Sequence, residues 1–353
     1  MRQFAPWIRR LALAGVLLGF CVVVFGAYVR LTAAGLGCPD WPGCYGHITP
    51  SGAQTSATAQ AAFPNRPLNV GKAWREMIHR YAASTLGLIC VAIAVLSVAA
   101  RRERIVKPGY ALGLFGIVVL QGLLGMLTVT LKLKPLIVTL HLLFGLTTVA
   151  VLWLLWLSVP GRAAWGKASA LGQPPVVGSD SSGALSARVL VLAALAVLIF
   201  QLALGGWTSS NYAAVACPDF PKCQNAWWPG TDYRNAFVLW RGLGIDYEGG
   251  VLDNPARVAI HLTHRLGALA ATLALTAVAL VTLVKIRRRR VRLAAAAVLA
   301  AVLLQLTIGI SMVLKGFPLW LATAHNAGAA VLLLATLALA RAVWSSANRD
   351  PLR

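Results

Sequence analysis

Residues 76–96 read EMIHRYAASTLGLICVAIAVL, and residues 261–281 read HLTHRLGALAATLALTAVALV. In each, a histidine and an arginine stand side by side and an uncharged, apolar run follows, continuing to residues 100 and 284. Runs of this kind supply the roughly 20 residues that cross a ~30 Å hydrocarbon core. Backbone surrounded by lipid has to satisfy its own hydrogen bonds, so both runs read as membrane-spanning helices. Six further stretches qualify, at 11–29, 109–131, 135–159, 189–207, 291–314 and 319–343; with 76–100 and 258–284 they make eight spans. Composition agrees: 58% of residues are hydrophobic and 12% charged, with a mean hydropathy of +0.73. The chain is therefore read as an all-α integral membrane protein. The first stretch lacks a small-residue cleavage site directly after a short apolar core, so it reads as a retained span and not a removed signal peptide.

The net charge of +22 raises the question of nucleic acid, but the distribution of that charge answers it. With residues at a span's end counted to the adjoining loop, 19 Lys and Arg fall on one side, in the N-terminal arm, the even-numbered loops and the C-terminal tail. The other side carries 11, although it holds the two longest connections, together with seven of the ten acidic residues. This is a topology signal that places both termini in the cytoplasm, and no nucleic-acid partner is expected. The remaining cations, Arg80 and Arg265, lie inside spans, each directly after a histidine.

The chain is also duplicated. YVRLTAAGLGCPDWPGC at 28–44 is echoed by WTSSNYAAVACPDFPKC at 207–223, a displacement of 179 residues. His79 recurs as His264 at 185, Gln121 with its Q-x-x-x-G as Gln305 at 184, and His141 as His325 at 184. The change of six residues between the cysteines and the first histidine fits an insertion in the second outer loop. Each half holds four spans, so the halves share one orientation. The expected architecture is two tandem four-helix bundles, 1–160 and 188–353, joined by a cytoplasmic linker at 161–187 and related by a pseudo-two-fold axis along the membrane normal.

On this topology the second, fourth, sixth and eighth spans begin at the outer face. His79, His141, His264 and His325 then lie roughly 5 to 9 Å below that face, at 1.5 Å per residue. One pair per half can meet across its bundle. A single membrane histidine is as well explained by a hydrogen bond to a neighbouring helix. Four at matched depth point to two bis-histidine haem sites. Zinc is the competing metal, because His261 and His264 form H-x-x-H, but zinc sites need three or four ligands and the nearest carboxylate, Glu76, is in the other half. Arg80 and Arg265 are candidates for haem propionates, or for snorkelling to lipid phosphates.

Cys38 with Cys44 and Cys217 with Cys223 form two C-x5-C pairs, each framing CPD-aromatic-P and facing an oxidising compartment. A structural disulfide, a redox-active dithiol and a four-thiolate metal site are the readings open to them. Cys21 and Cys90 fall within spans and read as packing residues. Aligning His79 with His264 sets Glu76 against His261, so only the first half has a carboxylate one turn from its ligand. Acid-base work during oxidation, or capping of the helix start, are the two roles for Glu76.

Through VRLTAAGLGCPDWPGC, the E-x-x-H-R of Glu76 to Arg80, TLH at His141, HLTHR at His264 and AHNAG at His325, nearly the whole chain resembles the haem A synthases. The resemblance implies two four-helix bundles that convert haem O to haem A for terminal oxidases, taking the C8 methyl to a formyl group through two hydroxylations and loss of water. It implies substrate haem O between His79 and His141, a haem b cofactor between His264 and His325, and Glu76 as the family's acidic residue. It also implies a bacterial inner membrane, and as partners the enzyme supplying haem O and an oxidase subunit receiving haem A. Some members lack one or both cysteine pairs, so an essential role for the second pair is not implied. Two other classes use the same residues: a quinone-linked carrier, either a dihaem cytochrome b or a four-helix thiol oxidase, and a non-enzymatic haem carrier. No dinucleotide or flavin motif is visible.

Overall fold

The computed structural model describes residues 3–103, 105–159 and 181–347. Eight long helices dominate it: α1 (Ala5–Leu31), α2 (Val70–Ala99), α3 (Pro108–Thr130), α4 (Pro135–Ser158), α5 (Ser181–Ser210), α6 (Asn254–Lys285), α7 (Arg289–Leu314) and α8 (Leu319–Ala347). All eight are long and apolar enough to cross a membrane. Short helices at Pro50–Gln54, Ala57–Ala61 and Tyr233–Ala236 decorate the loops after α1 and α5, and the described residues contain no strand, only two isolated bridges.

Proline in the first turn opens α1, α3, α4 and α6, where a missing N–H costs nothing. The Asn69 side chain caps α2, accepting the Lys72 N–H at 3.0 Å. The two helices that carry the His-Arg pairs start earlier than their apolar runs, at Val70 and Asn254 in place of 76 and 258. Polar first turns extend them beyond the apolar slab, so depth is counted from the apolar boundary and not from the helix end.

Helices α1 and α3 each pack on both α2 and α4, which closes a first ring; α5 and α7 each pack on α6 and α8, which closes a second. Ile8, Val16, Ile93 and Leu152 fill the first, and Val191, Leu198, Leu275 and Leu339 the second. The rings meet through α1 with α8, and through α4 with α5 and α8. The Trp153 indole donates to the Leu334 carbonyl at 3.0 Å across this seam, and Arg30 donates to the Ser209 carbonyl at 2.8 Å while lying over the Tyr212 ring. Up to residue 180 the expected linker lies outside the described residues; residues 181–187 belong to α5.

The duplication is visible in the backbone at single-residue register. Ala33 and Tyr212 both adopt positive φ, as do Tyr45 and Gln224, Gly46 and Asn225, Lys132 and Gly316, and Leu133 and Phe317. Each of these pairs keeps the displacement of 179 or 184 residues seen in the motifs. Gly316 takes the left-handed conformation freely, whereas Lys132 holds it against the clash of its Cβ. The cis peptides at Pro42 and Pro221 and the bridges Cys44–His47 and Cys223–Ala226 repeat in the same way.

The loops break this symmetry. The connection after α1 folds back on its own half, where Tyr45, Ala53, Ala59 and Phe63 pack against Ala73 and Met77 of α2. The longer connection after α5 crosses over. Tyr247 and Ile245 pack on Leu36, Val129, Leu133 and Val138 of the first half, and the Tyr247 N–H donates to the Lys132 carbonyl at 3.1 Å. Arg66 pairs with Asp246 and, at 2.6 Å, with Glu248. Lys134, 2% exposed, donates to the Gly242 carbonyl with its ammonium 3.4 Å from the Trp240 ring centroid.

Candidate functional site

All four histidines sit near the cysteine-bearing end, one on each of α2, α4, α6 and α8. His79 and His141 lie within electrostatic reach of each other, and so do His264 and His325. Each ring rests on a glycine of the preceding long helix: His79 on Gly26, His141 on Gly125, His264 on Gly205 and His325 on Gly309. A Cβ at Gly26 or Gly309 would stand 2.8 or 2.9 Å from the ring Cε1, so there the missing side chain is what lets the imidazole in, whereas at Gly125 and Gly205 the 3.4 Å is ordinary contact.

Partly buried glutamines hold three of the four helices. The Gln121 amide donates to the His141 carbonyl at 3.0 Å. That of Gln201 donates to the His264 carbonyl at 3.0 Å and lies 3.1 Å from its Nδ1. That of Gln305 donates to the His325 carbonyl at 3.1 Å and lies 3.3 Å from each ring nitrogen. The Oε1 atoms of all three glutamines, and the Nδ1 atoms of His79 and His141, are buried without a partner. Paired imidazoles among apolar helices, with glycine cradles and unspent polar atoms beside them, fit axial ligation of a haem. Among the described residues no three His, Cys, Asp or Glu are grouped to hold a metal ion by themselves. His261 lies buried with its Nδ1 3.2 Å from the Ala213 carbonyl, and the H-x-x-H it forms with His264 has no third ligand among the described residues.

Glu76, 4% exposed, is engaged on both oxygens: one pairs with Arg80, and the other accepts the Cys38 N–H at 2.8 Å. It does not cap its helix, because α2 begins at Val70, more than a turn earlier. Arg80 and Arg265, expected at propionates or lipid phosphates, donate elsewhere. Arg80 reaches the carbonyls of Asp40 at 2.9 Å and Gly43 at 2.6 Å, and Arg265 those of Asp219 at 2.7 Å and Lys222 at 2.8 Å. A turn that exposes several carbonyls to one side is a ready guanidinium site, and both CPD turns are built so.

Those turns are closed by disulfides, Cys38–Cys44 and Cys217–Cys223, each with Cα atoms 4.7 Å apart, and this excludes a four-thiolate metal site in this state. The aspartate of each CPD caps the return. Asp40 accepts from Tyr45 N at 2.6 Å and Gly46 N at 2.8 Å; Asp219 accepts from Gln224 N at 2.6 Å and Asn225 N at 2.9 Å. Desolvation pushes the Asp219 carboxyl up, but the N–H groups of Asn225 and Gln224 outweigh it and hold the group below the usual carboxylate range. Cys90 is a buried packing residue, whereas Cys21 is exposed on α1, so the reading of both as packing residues is corrected for Cys21.

The sequence reading missed Gln201, Gly26 and Gly205, and left without a role the glycines of its two Q-x-x-x-G motifs and the aspartates of the CPD turns. The signal was present: Q-x-x-x-G occurs a third time at Gln201–Gly205, and the fourth position reads Val22-x-x-x-Gly26.

Comparison with known proteins follows the same outline. A haem A synthase of Shewanella oneidensis is 39% identical over 343 residues, 97% of each chain. A haem A synthase of Caulobacter vibrioides is 30% identical over 91% of each chain, and one of Rhizorhabdus wittichii 29% identical over 99% of this chain and 97% of its own. The model of the COX15-CtaA family, described as cytochrome oxidase assembly protein, matches residues 9–337, and the chain belongs to that family.

Proposed function

We propose that this chain is a haem A synthase, an oxidoreductase of a bacterial cytoplasmic membrane that converts the C8 methyl of haem O to the formyl group of haem A. The observation that carries the reading is the doubled imidazole pair with a carboxylate beside only one copy. Full-length relatives from bacteria that bear this name support it.

In this reading His79 and His141 hold substrate haem O, and His264 and His325 hold a haem b cofactor. The bound cofactor supplies one-electron transfer to the substrate half. The chain's own residues do the rest. Gly26 and Gly309 admit their rings, and Gly125 and Gly205 lie in contact with theirs. The apolar helix faces exclude water, and Arg80 and Arg265 lock the CPD turns over the two bundles.

The closing step, loss of water from the twice-hydroxylated carbon, takes a proton from one hydroxyl and delivers one to the other as it leaves as water, so a proton-transfer group is needed in the substrate half and not in the other. Glu76 is that group. The Cys38 N–H and the Arg80 guanidinium fix its carboxylate one helical turn from His79. The distribution of 19 cations against 11 supports cytoplasmic termini, with both disulfides on the opposite side. The enzyme that makes haem O would feed the first half, and a terminal oxidase subunit would take the product.

Mass analysis of porphyrins extracted after expression beside a haem O source tests the reading, with haem A as the expected product. Bound but unaltered haem O would make the chain a carrier. Turnover of a quinone or dithiol without modified porphyrin would make it an electron-transfer protein.

A further inference from the structure

Four helices present the motif position one turn before the cradle glycine, and they are not equal. Gln121, Gln201 and Gln305 occupy it on α3, α5 and α7, but on α1 it is Val22, which shares the 179-residue register with Gln201. A second position changes with it. The Gln201 and Gln305 amides lie against Gly267 and Gly328, where a Cβ would approach Oε1 to 2.3 and 2.2 Å. Each of these glycines stands three residues after a histidine. The residue three after His79 is Ala82, so this position carries a methyl group where the second half carries none.

The rings differ accordingly. In the second half the amide nitrogens lie 3.1 Å from His264 Nδ1 and 3.3 Å from both nitrogens of His325. In the first half the Gln121 amide reaches only the backbone of His141, although its unpartnered Oε1 stays available to that ring. Among the described residues the Nδ1 of His79 has no hydrogen-bond partner, and Gly26 and, at 6.4 Å between ring centroids, Phe25 lie beside the ring. A ligand imidazole keeps its orientation by donating its second N–H to an acceptor, a role the unpartnered Oε1 of Gln201 or Gln305 fills with the amide turned over, and losing that partner typically weakens metal affinity about 10- to 100-fold.

We propose that this Gln–Gly clamp grades the hold on the four imidazoles: Gln201 and Gln305 are positioning residues that make the second half retain its porphyrin, and the missing clamp at Val22 and Ala82 leaves His79 as the ring that swings away. The inference rests on the haem reading of the site. A haem held by two histidines would have no open position, and in the first half His79 would be the ligand that leaves.

The test uses the full chain with one half loaded at a time. His264→Ala/His325→Ala leaves only the first half able to bind, and His79→Ala/His141→Ala only the second. Transfer of porphyrin to apomyoglobin gives the release rate, and carbon monoxide binding to the reduced protein reports an iron that has lost a ligand. The first half is expected to release faster and to bind carbon monoxide, and the second to do neither readily.

Transplanting the clamp with V22Q/A82G should slow release from the first half about 10- to 100-fold and suppress carbon monoxide binding there. Replacing either second-half amide by a side chain of similar size without a hydrogen-bonding amide, Q201M or Q305M, should do the reverse in the second half. Helical content by circular dichroism and a monodisperse elution profile separate a misfolded variant from an unclamped one. Equal release from both halves, or rates indifferent to the transplant and to both Met variants, would overturn the clamp alone. Wild-type protein that binds no porphyrin in either half would overturn the haem reading and the clamp with it.

Discussion

The two halves of this molecule share a backbone almost residue for residue and differ at the points where chemistry is decided. Both have a turn closed by a disulfide, an arginine plugged into its carbonyls, and two imidazoles on glycines. Only the first has a carboxylate at the position taken by His261 in the second, and only the first lacks a glutamine beside one of its rings. Duplication thus preserves the scaffold, while the differences fall on a few side chains within a turn of a histidine.

The largest expected effect comes from removing one ring per half. His79→Ala should abolish haem A formation while one porphyrin per chain remains. His264→Ala should remove the other porphyrin, and with it turnover; pyridine haemochrome content and extracted porphyrin masses check both. Next is the carboxylate. Glu76→Ala should keep its porphyrin but lower haem A output by about 10²- to 10⁴-fold, the usual range for a lost acid-base group. His261→Ala in the same assay should be far milder, and equal losses would erase the distinction between the halves.

A smaller effect is expected at the cradles. Gly26→Ala and Gly309→Ala place a methyl 2.8 and 2.9 Å from an imidazole carbon, which overpacks the site by about 1–3 kcal/mol and should weaken porphyrin binding in the altered half only. The disulfides follow. Loss of either short loop should cost about 2 kcal/mol in thermal unfolding. Cys38→Ser/Cys44→Ser should additionally lower turnover, because the Cys38 N–H holds Glu76, whereas Cys217→Ser/Cys223→Ser should not. Least of all, Arg66→Ala should cost under about 1 kcal/mol, and less still at high salt, since its ion pairs to Asp246 and Glu248 are partly exposed.

Most of the architecture was legible in the sequence because hydropathy and spacing act locally. Eight apolar runs become eight helices, and the displacement of 179 to 185 residues becomes a shared backbone. The histidines were legible for the same reason, being rare polar residues at fixed intervals. The partners of the arginines were not, because a guanidinium's choice between a propionate, a phosphate and a ring of carbonyls depends on how the CPD turn folds. The third glutamine was passed over because its equivalent is a valine, and a repeat read by identity hides the copy that has diverged. The crossing of residues 240–250 onto the first half left no trace beyond six extra residues.

That crossing imposes an order on biogenesis. The segment from Trp240 to Gly250 that covers the α3–α4 corner of the first half follows α5 in the chain, so four finished helices wait with that corner uncovered until the ribosome has passed a fifth. That cover is fitted only after the walls of the first half and the first wall of its neighbour have been made.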